Sequence, residues 1–352
     1  MNIEKIKNKI NKYFRMKKYD FHPEIKSGVV GNINSAVLYA LDGIGDLIVA
    51  SSIVKYVVEN CKGKVYFICS PSSFLYIDLL KKKYSNIEVF SFFTHESITS
   101  GDVENIAVEI NSKSSVDLVI NTIGRITPHF AELASLLNPK SVFSCIESKR
   151  KVNQNKMTHN AVKCSSLLFR NKVNYADCWG MFTQIIGGKY DRKNLFPIEN
   201  NSLQKIPEKY IVLSLSGVSR GAVSEDNAIK ICEIISRYYS GQICLVVSPG
   251  LEKLCGKISS KLKNVFIPQE EVSIETTGAY IKHAYALISI CSAPIHIAGA
   301  FNTPTLVISS LYAPHWFPIV DTWDIYVTDS PSINSINFHA FEKLFCNFIK
   351  RI

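Results

Sequence analysis

The chain has 352 residues, of which 47% are hydrophobic and 20% are charged, and this composition excludes an intrinsically disordered protein. Its length favours two domains, each large enough to bury a core of its own. The formal net charge of +10 favours anionic partners, namely nucleic acid, an acidic membrane surface or phosphorylated small molecules.

The amino-terminal segment 1–34 is predicted to be a basic amphipathic extension. Seven basic residues and no acid lie between Lys5 and Lys18, and apolar side chains recur there at helical spacing. A helix over residues 1–20 therefore either contacts an anionic leaflet or packs on the protein with a solvated basic face. The segment resembles no export signal, and no apolar run approaches a membrane span. We expect a cytoplasmic protein, peripheral on the inner face of the cytoplasmic membrane.

From residue 36 onwards, short apolar strands alternate with helical segments. Strands rich in Val and Ile and spaced by helices are typical of a parallel, doubly wound sheet. We predict a Rossmann-like domain over 35–188, a polar linker over 189–208, a second Rossmann-like domain over 209–335 and a final helix over 336–352. The predicted strands are 36–40, 64–70, 87–93, 116–124, 141–146, 210–217, 241–250, 264–268, 286–292 and 303–310, and the predicted helices are 47–60, 73–84, 174–188, 224–239, 251–262, 276–284 and 294–301.

The ten cysteines are scattered along the chain and form no CxxC pair. This usage indicates buried free thiols in a reducing compartment, and it predicts no metal site.

The first candidate site is the stretch LDGIGD after the first strand. Gly43 and Gly45 lie in the predicted turn, and free N–H groups at the start of the following helix suit an anion. The third glycine of a dinucleotide-binding fingerprint is absent. Asp46 has two interpretations: a helix N-cap that satisfies backbone donors, or a general base that faces a cleft.

The second candidate site is the loop SLSGVSRG after the first strand of the second domain. Ser216, Gly217 and Ser219 offer small hydroxyls and exposed backbone, and Arg220 has the charge to pair with phosphate oxygens. The loop is therefore either a diphosphate-binding loop or a solvated turn with one basic residue.

The third candidate site is the stretch CSAPIHIAGA near the carboxyl end. Ser292 is the predicted N-cap of a helix, and Pro294 suits its first turn, where a missing N–H costs nothing. His296 lies one turn into that helix. Taken alone, such a histidine is more often a core residue than a ligand.

Three stretches, taken in chain order, resemble the family 9 glycosyltransferases, the bacterial heptosyltransferases that extend the lipopolysaccharide core. They are GIGDLIVASSIVKYV, LSLSGVSRGA and YIKHAYALISICSAPIHIAGAFNTPTLVISS, the last followed by HWFPI. The resemblance covers about residues 36–320. It implies a GT-B arrangement, in which two Rossmann-like domains with parallel sheets face a central cleft and the last helix returns to the first domain.

The resemblance also implies an activity. Such enzymes transfer a sugar with inversion, without metal or cofactor, normally from ADP-heptose to the anionic lipopolysaccharide core, so the expected partners are a nucleotide sugar and this acceptor or a related surface glycan. Asp46 matches the family's catalytic base, while Gly43, Gly45 and Arg125 are expected on the acceptor side. The residues expected to bind the donor are Ser216, Gly217, Ser219, Arg220, Cys291, Ser292, Ala293, Pro294 and His296.

Two departures from the family's pattern bear on the donor. Cys291 and Ala293 stand where the family has an acidic residue and a glycine, and Val223 lies near the place of a common lysine. Two alternatives follow: a different donor, or a non-catalytic GT-B protein that binds a glycan or a partner glycosyltransferase. A nucleic-acid partner is not expected, because the chain has neither an aromatic stacking motif nor a helix-turn-helix pattern.

Overall fold

The structure is a computed structural model that describes residues 32–41, 43–92, 98–122, 127–144, 174–190, 206–217, 221–248, 250–270, 273–311 and 316–352. The chain divides into two compact units, Met1–Asp191 and Arg192–Ile352. This division falls inside the predicted linker. The helix predicted over residues 1–20 lies outside the described residues.

The first unit is built on a five-stranded parallel sheet. Its strands are β1 (Ala36–Ala40), β2 (Val65–Cys69), β3 (Ile87–Ser91), β4 (Leu118–Asn121) and β5 (Ser141–Ser144). Its helices are α1 (Ile44–Val49), α2 (Ser51–Asn60), α3 (Pro71–Lys83), α4 (Ser100–Lys113), α5 (Pro128–Leu137) and α6 (Tyr175–Ile185). The strand order is β3-β2-β1-β4-β5. All residues of β1 and β2 are buried, as parallel strands require when helices cover both faces of their sheet.

The second unit repeats the plan with a six-stranded parallel sheet and one short antiparallel hairpin. Its strands are β6 (Tyr210–Ser214), the hairpin strands β7 (Ser216–Gly217) and β8 (Gly221–Ala222), then β9 (Gln242–Leu245), β10 (Val265–Phe266), β11 (Ala286–Ile290), β12 (Thr305–Ser309) and β13 (Trp323–Val327). Its helices are α7 (Glu225–Tyr238), α8 (Glu252–Lys261), α9 (Ile274–His283), α10 (Ala293–Phe301) and α11 (Phe338–Ile349). The sheet order is β10-β9-β6-β11-β12-β13. The predicted fold class, two Rossmann-like parallel sheets, is confirmed.

The carboxyl-terminal helix α11 packs in the second unit. Phe341, Phe345 and Phe348 are fully buried and belong to the same apolar core as Ile235 of α7 and Tyr326 of β13. We expected this helix to return to the first domain; instead it closes one face of the second sheet. Phenylalanines spaced by three or four residues show that one helix face is apolar, but they do not show which sheet that face covers.

One further helix begins at a different residue than predicted, and three elements were not predicted at all. Helix α1 begins at Ile44 and not behind Asp46. Helices α4 and α5 and strand β13 were not among the predicted elements. Helix α4 carries its own start signal, a capping box in which Thr99 and Asp102 satisfy each other's backbone N–H groups.

None of the helices in the described part of the chain has the length and apolar character that crossing a bilayer requires. The eight cysteines among the described residues are free, and six of them are buried. Cys145 and Cys164 lie outside the described residues.

Candidate functional site

The strand order places one crevice in each sheet. In the second unit the chain moves outward from β6 to β9 and β10, and then continues at β11 on the other side of β6. In open α/β sheets, ligands bind at such a reversal, outside the carboxyl ends of the two strands that flank it. Here those ends lead into the Ser216 loop and into the Cys291–Ser292 segment, so the topology brings two of the predicted donor-site stretches together.

Gly217 and Ser292 are in direct contact. A Cβ atom added to Gly217 would lie 2.9 Å from Ser292 Cβ and 3.4 Å from Ile290 Cδ1. Only glycine allows the loop backbone to approach the start of α10 this closely. Gly217 pairs with Gly221 in the β7–β8 hairpin, and Gly221 has a φ of 76°, a value that side chains rarely adopt.

The start of helix α10 differs from the predicted N-cap in one respect. Ser292 occupies the N-cap position and Pro294 the first turn, as expected, but the Ser292 side chain makes no capping hydrogen bond. Its hydroxyl donates to the carbonyl oxygen of Ile290 at 3.2 Å instead. The amino terminus of α10 is therefore not closed by its own serine, and the partial positive charge of this helix end lies beside the Gly217 backbone.

The two departures from the family pattern both lie at this helix start. Cys291 is half-buried and forms no disulfide, and its backbone N–H donates to Ile308 O of β12 at 3.0 Å. Ala293 is the first residue of α10. The two positions where a family member would have an acidic residue and a glycine therefore lie at the crevice.

His296 lies one turn further along α10, and its ring contacts an indole ring. The ring centroids of His296 and Trp316 are 6.1 Å apart, with a T-shaped interplanar angle of 60°. His296 is half-buried, and the desolvation of its imidazole lowers its pKa to about 4. The residue is therefore neutral at pH 7, with one nitrogen that donates and one that accepts.

This pKa predicts how stability changes with pH. The unfolded chain binds a proton at His296 near pH 6.5 and the folded chain only near pH 4, so acidification between these values favours unfolding. Relative to His296→Gln, the wild type should lose about 1–3 kcal/mol of unfolding free energy over this window. Urea titrations at pH 7.5, 6, 5 and 4.5 measure the loss. His283→Gln, at an exposed histidine of α9, should follow the wild type. Parallel pH curves for wild type and His296→Gln would contradict the prediction.

In the first unit the reversal of strand order lies between β1 and β4, and Asp46 follows β1. Asp46 is the third residue of α1, with Gly43 at the N-cap position and Gly45 inside the first turn. Of the two interpretations of Asp46, the N-cap is therefore wrong. Its backbone N–H donates to Gly43 O at 3.1 Å, and its half-buried carboxylate folds back over Gly43, with Oδ2 3.6 Å from where a Cβ on that glycine would be.

Three predicted site residues, Arg125, Ser219 and Arg220, lie outside the described residues. Ser216 is placed by its backbone in β7. The proposed base, Asp46, belongs to the first unit. The residues expected to bind the donor belong to the second unit.

The sequence prediction missed a pocket two strands away from the crevice. It lies after the carboxyl ends of β9 and β10, at the start of α9. Its lining residues are Val246, Val247, Pro268, Glu270, Thr276 and Thr277. The sequence signal for this pocket was weak, because only the polar residues after the short strand β10 distinguish this segment from the other loops. Within the described ranges, no group of three or more His, Cys, Asp or Glu side chains is arranged to hold a metal ion.

Comparisons with known proteins extend the description of the fold. No protein-family model matches the chain, and no curated protein matches it by sequence. Among solved structures, the glycosyltransferase family 9 protein from Veillonella parvula is similar with a TM-score of 0.58 at 11% identity, over 93% of this chain and 100% of that one. E. coli heptosyltransferase WaaC with ADP is similar with a TM-score of 0.58 at 11% identity, over 89% and 99%. S. aureus MnaA with UDP is similar with a TM-score of 0.53 at 12% identity, over 89% and 88%.

The class of fold follows from these likenesses. The chain has the two Rossmann-like sheets found in GT-B glycosyltransferases. The predicted resemblance to family 9 is confirmed as a likeness of fold, at identities too low to carry an activity.

Proposed function

We propose that this protein is an inverting, metal-independent glycosyltransferase that takes a sugar from a nucleotide donor and attaches it to a surface-glycan acceptor. The observation that carries the proposal is the contact between Gly217 and Ser292, which brings the backbone of Gly217 against the amino terminus of α10 at the reversal of the second sheet. The fold supports the proposal, because the proteins with a similar fold include a heptosyltransferase with bound ADP.

The donor diphosphate binds at the start of α10 in this proposal. Backbone N–H groups at a helix amino terminus and in an adjacent loop attract anions, and they stabilise the charge that grows on a departing diphosphate. Ser219 and Arg220 would add side-chain donors from the loop. The neutral His296, one turn further along, would donate a hydrogen bond to a phosphate oxygen without bringing a buried charge of its own.

Asp46 is the proposed general base. Inversion requires one group that removes the acceptor hydroxyl proton on the side opposite the leaving nucleotide, and a half-buried carboxylate beside an exposed glycine suits that task. Gly43, Gly45 and Arg125 are proposed for the acceptor side. The net charge of +10 favours an anionic acceptor such as a lipopolysaccharide core, at an acidic membrane surface to which residues 1–20 would add contact.

The first donor to test is ADP-heptose, which the family resemblance implies. The fold alone leaves the nucleotide open, since similar structures contain ADP in one case and UDP in another. Cys291 and Ala293, at the start of α10, support the alternative of a non-catalytic protein that binds a glycan or a partner glycosyltransferase.

Thermal unfolding in the presence of nucleotide sugars tests the proposal. A donor at 100 times its dissociation constant should add about 2.7 kcal/mol to the free energy of unfolding, visible as a rise in melting temperature. ADP-, GDP- and UDP-linked sugars form the panel, with free monosaccharides as the control that lacks a diphosphate. A rise with a nucleotide sugar, followed by sugar transfer to a glycan acceptor, supports the enzyme. Binding without transfer contradicts the proposed transfer reaction. No rise with any donor contradicts the enzyme and favours the alternative, a non-catalytic protein that binds a glycan or a partner glycosyltransferase.

A further inference from the structure

One asparagine, Asn334, joins the turn after β13 to the segment that leads from β8 into α7. Its side-chain oxygen accepts a hydrogen bond from the backbone N–H of Ser224 at 2.7 Å, and its side-chain nitrogen donates to the carbonyl oxygen of Ala222 at 3.2 Å. Its own carbonyl oxygen accepts a hydrogen bond of 2.9 Å from Asn227 Nδ2 of α7. A single residue therefore connects parts of the chain that are 107 to 112 residues apart.

The partners of the Asn334 amide determine its orientation. A backbone N–H only donates and a carbonyl oxygen only accepts, so Ser224 requires the amide oxygen and Ala222 requires the amide nitrogen. Aspartate, which has the same size, would keep the bond to Ser224 but would set a lone pair against the carbonyl oxygen of Ala222. The two contacts together therefore require an asparagine.

The turn that carries Asn334 is held by contacts of its own. Ile333 is buried in the apolar core of the second unit. The backbone N–H of Asn334 donates to Ser332 Oγ at 3.2 Å, and the Ser330 hydroxyl donates to Ser335 Oγ at 2.6 Å. A side chain on a fixed turn loses less conformational entropy when it forms a further contact. Asn334 is therefore pre-organised to bind β8.

The contact made by Asn334 reaches the crevice of the second sheet through β8. Ala222 follows Gly221, and Gly221 pairs with Gly217 in the hairpin. The backbone of Gly217 lies against Ser292 at the start of α10, where even one added methyl group does not fit. A displacement of Ala222 would therefore be passed through the hairpin to this close contact.

We infer that Asn334 is a positioning residue for donor binding, because it holds β8 so that Gly217 stays against the start of α10. The inference rests on the proposed nucleotide-sugar function. It assigns a role to a residue that lies outside all three candidate stretches of the sequence. Asn334 acts through the backbone of β8 and not by touching the nucleotide.

Asn334→Ala tests the inference in calorimetric titrations of the full chain with ADP, GDP and UDP. The nucleotide that binds the wild type most tightly should bind this variant roughly threefold to tenfold more weakly, the effect of one lost hydrogen bond. Asn337→Ala is the matched control, since Asn337 is the N-cap of α11 and its side chain accepts from Ala340 N–H. Both variants lose an acceptor for a backbone N–H, so both should melt about 2–4 °C below the wild type. Only Asn334→Ala should lose affinity.

Asn334→Asp separates the two contacts of the amide. The carboxylate keeps the bond to Ser224 N–H at the positive end of α7, so the melting temperature should stay within about 2 °C of the wild type. The donor to Ala222 is lost, so the affinity should fall at least as far as in Asn334→Ala. Titrations at about 0.05 M and 0.5 M salt control for the added charge, because salt screens repulsion of a diphosphate but does not restore the position of β8.

The outcomes separate this inference from the function on which it rests. Weaker binding in both Asn334 variants, with Asn337→Ala unchanged, would support it. Wild-type affinity in Asn334→Ala, or a loss in Asn334→Asp that is confined to low salt, would overturn it and leave a nucleotide-binding protein. An equal loss in Asn337→Ala would also overturn it, since affinity would then follow stability and not the position of β8. A wild type that binds none of the three nucleotides would overturn the proposed function together with the inference.

Discussion

Asp46→Asn should reduce sugar transfer by a factor of about 10² to 10⁴, the usual contribution of a positioned general base. The amide keeps the size of the side chain but cannot accept the acceptor's proton. Because the proposed diphosphate site is built from the second unit and Asp46 belongs to the first, nucleotide affinity should change by less than roughly twofold. Transfer rates under saturating donor, together with calorimetric dissociation constants, measure the two quantities separately.

A matched control is available on the same unit. Asp78 is an exposed carboxylate of α3, and Asp78→Asn should retain wild-type transfer. The role of Asp46 as third residue of α1 also has a consequence for stability, since an acid in the first helical turn contributes about 0.3–1 kcal/mol. A variant that is slightly less stable but fully active would show that Asp46 only supports its helix. Such a result would refute the mechanism.

The general plan of the chain was predictable because it depends on local patterns. Buried strands such as β1 and β6 are continuous apolar runs, and helices follow them at regular spacing. The crevice in the second unit was predicted through its loops: Gly217 and Ser292 each lie just after such a strand. The structure brings these two positions into contact.

Features that depend on distant parts of the chain were not predictable in the same way. Nothing local indicates that β11 pairs with β6 and not with the strand before it, although this pairing creates the crevice. The Glu270–Tyr280 hydrogen bond depends on how α9 turns back over the end of β10. The apolar face of α11 was evident, but the sheet that it covers was not. In each case the missing information is which elements become neighbours.

Gly217→Ala should weaken nucleotide binding by roughly tenfold or more. The added methyl would lie 2.9 Å from Ser292 Cβ, a distance at which one of the two segments must move. Ser292 Cβ cannot rotate away, because it is fixed by the backbone where β11 passes into α10. The loop would therefore separate from the helix start, and the overpacking should also cost about 1–3 kcal/mol of unfolding free energy. Calorimetric titration with GDP and ADP, and urea unfolding, measure the two effects.

Two further variants show whether the Gly217–Ser292 contact itself is responsible. Gly256→Ala introduces the same methyl into α8, where nothing lies within 4 Å of it, and should be neutral or should stabilise the protein by about 0.5–1 kcal/mol. Ser292→Gly removes the atom that the new methyl meets, so the double variant Gly217→Ala, Ser292→Gly should recover most of the affinity that Gly217→Ala loses. Without that recovery, the loss would come from the loop's own backbone and not from its contact with α10. Recovery would instead establish that nucleotide binding requires the glycine loop and the helix start to touch, which is the contact on which the proposed function depends.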